Sequence, residues 1–177
     1  MLDIHAVDST TLYRLHAAGQ IMVSHDRGAT WTAQGNIPAA TAITFVSHDT
    51  GWALQNKQLR QTSDGGVTWH DVGLGYPVQS LAALPNGTVW VITDEPRSMD
   101  TINYLPRHRL LHSTDAGRTW REVHFTEYGF LLPNNEADWS GWIQFADAQH
   151  GWIGTSLSSS ATLVYTNDGG TAWFGMR

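Results

Sequence analysis

Cysteine is absent from all 177 residues, which removes disulfides, zinc–thiolate sites and thiol nucleophiles from consideration. It leaves the compartment open, since exported chains can also do without the residue. No apolar run reaches the roughly eighteen residues of a membrane helix, and Met1-Leu2-Asp3-Ile4-His5 does not read as a signal peptide. Charge is sparse at 15%, and the ten Lys and Arg are scattered against sixteen Asp and Glu, for a net −6. A nucleic-acid surface needs a clustered basic stripe, so none is expected. Helical hydrophobic periods and capping boxes are missing too, as is a glycine-rich phosphate loop leading into a helix.

What is present is an apolar, aromatic chain. Hydrophobic residues make up 41% of it, too many for a disordered segment, and nine are Trp, which suits repeated packing between flat β layers. Self-comparison then finds four copies of one octapeptide. They begin at Ser24, Thr62, Ser113 and Thr166 and follow Ser/Thr-x-Asp-x-Gly-x-Thr-Trp, with Ala172 alone replacing the Thr. The repeated positions are Asp26, Gly28 and Trp31; Asp64, Gly66 and Trp69; Asp115, Gly117 and Trp120; and Asp168, Gly170 and Trp173. The pattern describes a hairpin corner. A carboxylate accepts bonds from backbone N–H groups two residues on, the Gly takes a positive φ, and the Trp opens the outgoing strand and packs inward.

A second hairpin precedes each corner. Phe45 stands six residues before Gly51-Trp52, and Phe145 six before Gly151-Trp152; Leu81 before Gly87 and Ile4 before Thr10 are read as the matching pairs. Apolar residues alternate in these runs. Each unit is therefore strand A, turn, strand B, connection, strand C, corner, strand D. The predicted fold is all-β, with four four-stranded antiparallel units over about 1–37, 38–74, 75–125 and 139–177 in a single domain, 1–177.

The four octapeptides resemble Asp-box (bacterial neuraminidase) repeats. Together with Phe-x5-Gly-Trp they look most like the photosystem II assembly/stability factor branch, and more distantly like sialidase, sortilin and xyloglucanase propellers. The resemblance implies β-propeller blades with the boxes on the periphery, so that Asp26, Asp64, Asp115 and Asp168 are structural. It also favours an extracytoplasmic location. Family members carry six to eight blades or more, against four here. A fragment, a self-closing four-blade ring and a half-ring completed by a second copy through open blade edges are the three readings, with the first and last favoured.

Antiparallel strands put the A–B turn and the corner on one face and the B–C and D–A connections on the other. Two long segments, 94–108 and 126–140, therefore fall on the second face, where binding residues concentrate. The candidate binding face is Arg97, Tyr104, Arg107, Glu127, Tyr128 and Trp139, with a protein partner preferred over carbohydrate. No catalytic set, cofactor or metal is assigned. A sialidase needs an arginine triad and Tyr/Glu pair, and Arg97, Arg107, Arg109, Tyr104 and Glu127 supply only the residue types. Asp94, Glu95, Asp100, Glu127, Glu136 and Asp138 offer six acids with no inferable pairing. His108 and His112 share a strand face without a metal-ligand pattern. His25, His70 and His112, beside corners, are read with His48 and His150 as polar turn or edge residues. The expected function is a non-enzymatic interaction module, the alternative a glycan-binding or glycoside-hydrolysing propeller.

Overall fold

The computed structural model describes residues 3–94, 108–123, 140–156 and 161–175. The chain gathers into two compact units, Met1–Gly75 and Tyr76–Arg177. The first unit holds two four-stranded sheets. One consists of β1 (Asp3–Ala6), β2 (Leu12–Leu15), β3 (Gln20–Ser24) and β4 (Thr32–Asn36). The other consists of β5 (Ala40–Phe45), β6 (Gly51–Gln55), β7 (Gln58–Thr62) and β8 (His70–Asp71). The second unit holds β9 (Val78–Ala83), β10 (Val89–Asp94), β11 (His108–Ser113) and β12 (Arg121–Val123), then β13 (Ser140–Phe145), β14 (Gly151–Ser156), β15 (Ala161–Thr166) and β16 (Phe174–Gly175). All four sheets are antiparallel meanders in chain order. Among the described residues the only helical turn is a 3-10 turn at Ala17–Gly19.

The register explains the spacing of six. Phe45 pairs with Gly51 and Phe145 with Gly151 across their hairpins, while the corresponding pairs in the first and third sheets are Ala6 with Leu12 and Ala83 with Val89. The expected matches Ile4–Thr10 and Leu81–Gly87 are therefore displaced by two residues. The error keeps the same sheet face, because a two-residue shift preserves side-chain parity. Phe and Gly occur together because the ring lies on the glycine. A Cβ on Gly51 would come within 2.6 Å of the Phe45 ring, and one on Gly151 within 2.5 Å of Phe145.

The two cores repeat one joint. In the first unit Phe45 stacks on Tyr13 of the preceding sheet at 3.7 Å and 8°, with Trp69 edge-on at 6.0 Å. In the second, Phe145 stacks on Trp90 at 3.6 Å and 12°, with Trp173 edge-on at 6.0 Å. A polar tie accompanies each stack. The Ile43 N–H donates to Asp3 Oδ2 at 2.8 Å, and the Ile143 N–H donates to Ser80 Oγ, at the equivalent position, at 3.2 Å.

Two expectations change. The octapeptide tryptophans are only partly buried, and the fully enclosed ones among the described residues are Trp52 and Trp90. His112 is no edge residue. It is buried, stacks on Trp90 at 4.8 Å and accepts from Arg121 through Nδ1 at 2.8 Å. Its proximity to a corner in sequence hid its place in the third strand, where side chains alternate between faces.

Candidate functional site

Each octapeptide turn is a closed hydrogen-bond circuit. The Ser24, Thr62, Ser113 and Thr166 hydroxyls donate to the carboxylates of Asp26, Asp64, Asp115 and Asp168 at 2.7–2.9 Å. The same oxygens accept from the N–H groups of Gly28, Gly66, Gly117 and Gly170. The carboxylate reaches four residues on rather than two. Thr30, Thr68 and Thr119 each give it a backbone N–H and a hydroxyl, the hydroxyl at 2.6 Å. In the last turn the Ala172 N–H bonds both carboxylate oxygens, and Thr171 supplies its own N–H. The indole N–H groups of Trp31, Trp69 and Trp120 close back on the glycine carbonyls at 2.9–3.1 Å.

These bonds stabilise the ionised carboxylate. The Thr hydroxyl, the Thr N–H and the Ser/Thr hydroxyl hold Asp26, Asp64 and Asp115 at about 2, well below the usual carboxylate range. At Asp168 burial pushes upward, but bonds from Ala172, Thr166 and Thr171 leave it lowered. A carboxylate committed to so many donors has little capacity left to take up or deliver a proton near neutrality.

The turns also fix the orientation of each sheet. In all four, a turn N–H donates to a carbonyl of the first hairpin: Arg27 to Thr10, Gly65 to Asp49, Ala116 to Gly87 and Gly169 to Gln149, each at 2.9 Å. Both hairpin tips thus lie at one edge, and the B–C and D–A connections leave from the other. Residues 95–107 and 124–139 join strands at that second edge of the third sheet. Arg97, Tyr104, Arg107, Glu127, Tyr128 and Trp139 themselves lie outside the described residues.

What is described is the ground from which those segments rise. Asp94 and His108 pair across β10 and β11, with Nδ1 and Oδ1 2.8 Å apart. Gln79 donates to the other carboxylate oxygen, and the Asp94 N–H donates to the Pro77 carbonyl at 2.8 Å. The His108 side chain is only 4% exposed. Burial pushes its imidazole down, against the opposing pull of Asp94. Beside it Arg109 pairs with Glu122 at 3.3 Å and lies over the Tyr76 ring at 5.4 Å.

A buried imidazole oriented by a carboxylate is a pre-set donor or acceptor, the pairing that also positions catalytic and metal-ligating histidines. Among the described residues no group of three His, Cys, Asp or Glu side chains converges as a metal site. Sequence reading missed this pair. Asp94 looked like one acid among six, and His108 was weighed against His112 on its own strand. The available signal was that the ends of an insertion between two paired strands must face each other.

No family model matches the chain, and no curated protein matches it in sequence. Solved structures do match in shape. An ancestral GH74 enzyme superposes with a TM-score of 0.64 at 14% identity over 97% of this chain and 23% of its own. The GH74 enzyme of Niastella koreensis gives 0.61 at 16% identity, over 96% of this chain and 28% of its own. YCF48 bound to a D1 peptide reaches only 0.34 at 13% identity, over 98% of this chain and 81% of its own. The chain spans about a quarter of the length of the two GH74 enzymes it matches. At these identities the likeness establishes the fold, which is all-β and of the propeller type.

Proposed function

We propose that this chain is a non-enzymatic protein-interaction module of the Asp-box propeller type, nearest in repeat to the photosystem II assembly/stability factor branch. It binds through the edge carrying segments 94–108 and 126–140. The observation that carries this reading is the anchored base at that edge. Gln79, Asp94 and His108 lock the two ends of the 94–108 segment to the sheet, so that a binding surface there is presented from a rigid support. The opposite edge is occupied with its own turns, its carboxylates already saturated. In this reading the four blades cover about 1–37, 38–74, 75–125 and 139–177, and Asp26, Asp64, Asp115 and Asp168 are purely structural.

The test is affinity capture with the intact chain followed by titration of the captured protein against Tyr104→Ala, Arg107→Ala and Trp139→Ala. An anchoring aromatic should cost about 2 kcal/mol or more of binding energy. Unchanged affinity in all three variants would refute the assignment of this edge. Turnover of any member of a chromogenic glycoside panel would replace the module by a glycan-acting enzyme.

A further inference from the structure

The joints inside each unit show what the forward face of a sheet is built to meet. In the first sheet that face carries Tyr13, and in the third Trp90; they are 2% and 1% exposed because the next sheet lays Phe45 or Phe145 over them. The backward face of the following sheet contributes Ile43 or Ile143, 2% and 5% exposed. The fourth sheet has a forward face of the same kind. Trp152 occupies the position of Tyr13 and Trp90, and strand pairing puts Trp142, Leu163, Tyr165 and Phe174 on the same side.

This face is open. Trp142 is 49% and Phe174 42% exposed, and Trp152, Leu163 and Tyr165 are only partly buried. The Trp142 indole lies directly over Gly154, where a Cβ would come within 2.3 Å of it, and Tyr165 and Phe174 touch at 5.5 Å. Large apolar groups gathered on one sheet face and left in water mark an interaction surface.

The same chain carries the matching half. Ile4 stands where Ile43 and Ile143 stand in their sheets, yet it is 47% exposed. Ala6 and Leu12 share its side of the first sheet, in the places of Phe45 and Gly51. Bulk has been transposed between the two faces. Trp142 is large where Asp3 and Ser80 are small, and Ala6, like Ala83 of the third sheet, is small where Phe45 and Phe145 are large. A forward face enlarged by a tryptophan and a backward face reduced by an alanine are complementary in volume.

We propose that the outer face of the fourth sheet binds the first sheet of a second copy of this chain, head to tail. The contact is heterologous, so copies joined this way either close into a ring or extend as a filament. Trp142 and Trp152 are the anchors on one side and Ile4 and Leu12 on the other.

Light scattering and sedimentation equilibrium of the purified chain, from low to high micromolar, test this. The expected mass is at least twice 19.6 kDa. Trp142→Glu and Ile4→Glu should each run as monomers with wild-type circular dichroism, both side chains being exposed in the single chain. Mixing the two variants should restore one joint and yield a two-chain species and nothing larger, since each retains the face the other has lost. Phe174→Ser, a milder change on the same face, should weaken association without abolishing it. A wild-type chain that stays monomeric throughout overturns the proposal, as does a variant that keeps the wild-type mass or a mixture that remains monomeric.

Discussion

The two units solve one packing problem with different chemistry. In the first, the ring under Phe45 is a tyrosine whose hydroxyl donates to the His48 carbonyl at 2.7 Å, and Asp8 pairs with His48 at 2.9 Å across the same pair of hairpins. In the second, the ring under Phe145 is Trp90, which stacks on His112 as well. One joint is tied at its edge by hydrogen bonds, while the other relies on a deeper aromatic stack that includes a titratable ring. A shared backbone register tolerates either, because the geometry is set by the Phe–Gly pair and not by its partner.

The sharpest way to break the comparison is to remove what the joints share. Phe45→Ala and Phe145→Ala should each destabilise by about 3–5 kcal/mol. Phe45, at 1% exposure, should suffer more than Phe145 at 9%. Urea unfolding of both variants reads this directly; equal, sub-kilocalorie effects would mean that the stacks are incidental.

Next come the differences. Tyr13→Phe keeps the stack and deletes only the tie to His48, so it should cost about 1 kcal/mol by the same measurement. No loss at all would place the hydroxyl's bond in competition with water. The second unit has its own signature in acid. Burial, with the Arg121 guanidinium adding to it, pushes the His112 imidazole down to about 4, whereas an unfolded histidine titrates near 6.5. The unfolded chain therefore takes up a proton that the folded one refuses, and the stability present above about pH 6.5 is lost as pH falls towards 4. His108 and, in the first unit, His5 are lowered by burial in the same sense. Melting temperature should drop between pH 7 and 4.5, and His112→Gln should flatten part of that slope. An unchanged slope would assign the effect to the other two rings.

Strand order and corner positions were legible from sequence because each octapeptide closes its hydrogen bonds within eight residues, so the pattern carries its own explanation. Even there the partner was misjudged, since Asp64 bonds Thr68 four residues on and not the residue two ahead. Legibility fell with distance. Ile4 and Leu81 passed for the hairpin residue because apolar alternation leaves a two-residue slip on the correct face. The Asp94–His108 pair is separated by thirteen residues that periodicity does not constrain, and the Tyr13–Phe45 stack joins two different sheets. Neither leaves a local trace. The six residues expected to bind, Arg97, Tyr104, Arg107, Glu127, Tyr128 and Trp139, lie outside the described residues.

The four identical bonds between corner and first hairpin make one border of every sheet a fastened seam. Lengthening either tip there would unpick two turns together, so growth of the chain is channelled to the other border. The two-residue loop Asn56-Lys57, with both φ angles positive, sits on that permissive side. It marks the natural place to graft a foreign peptide or a reporter without disturbing the rest.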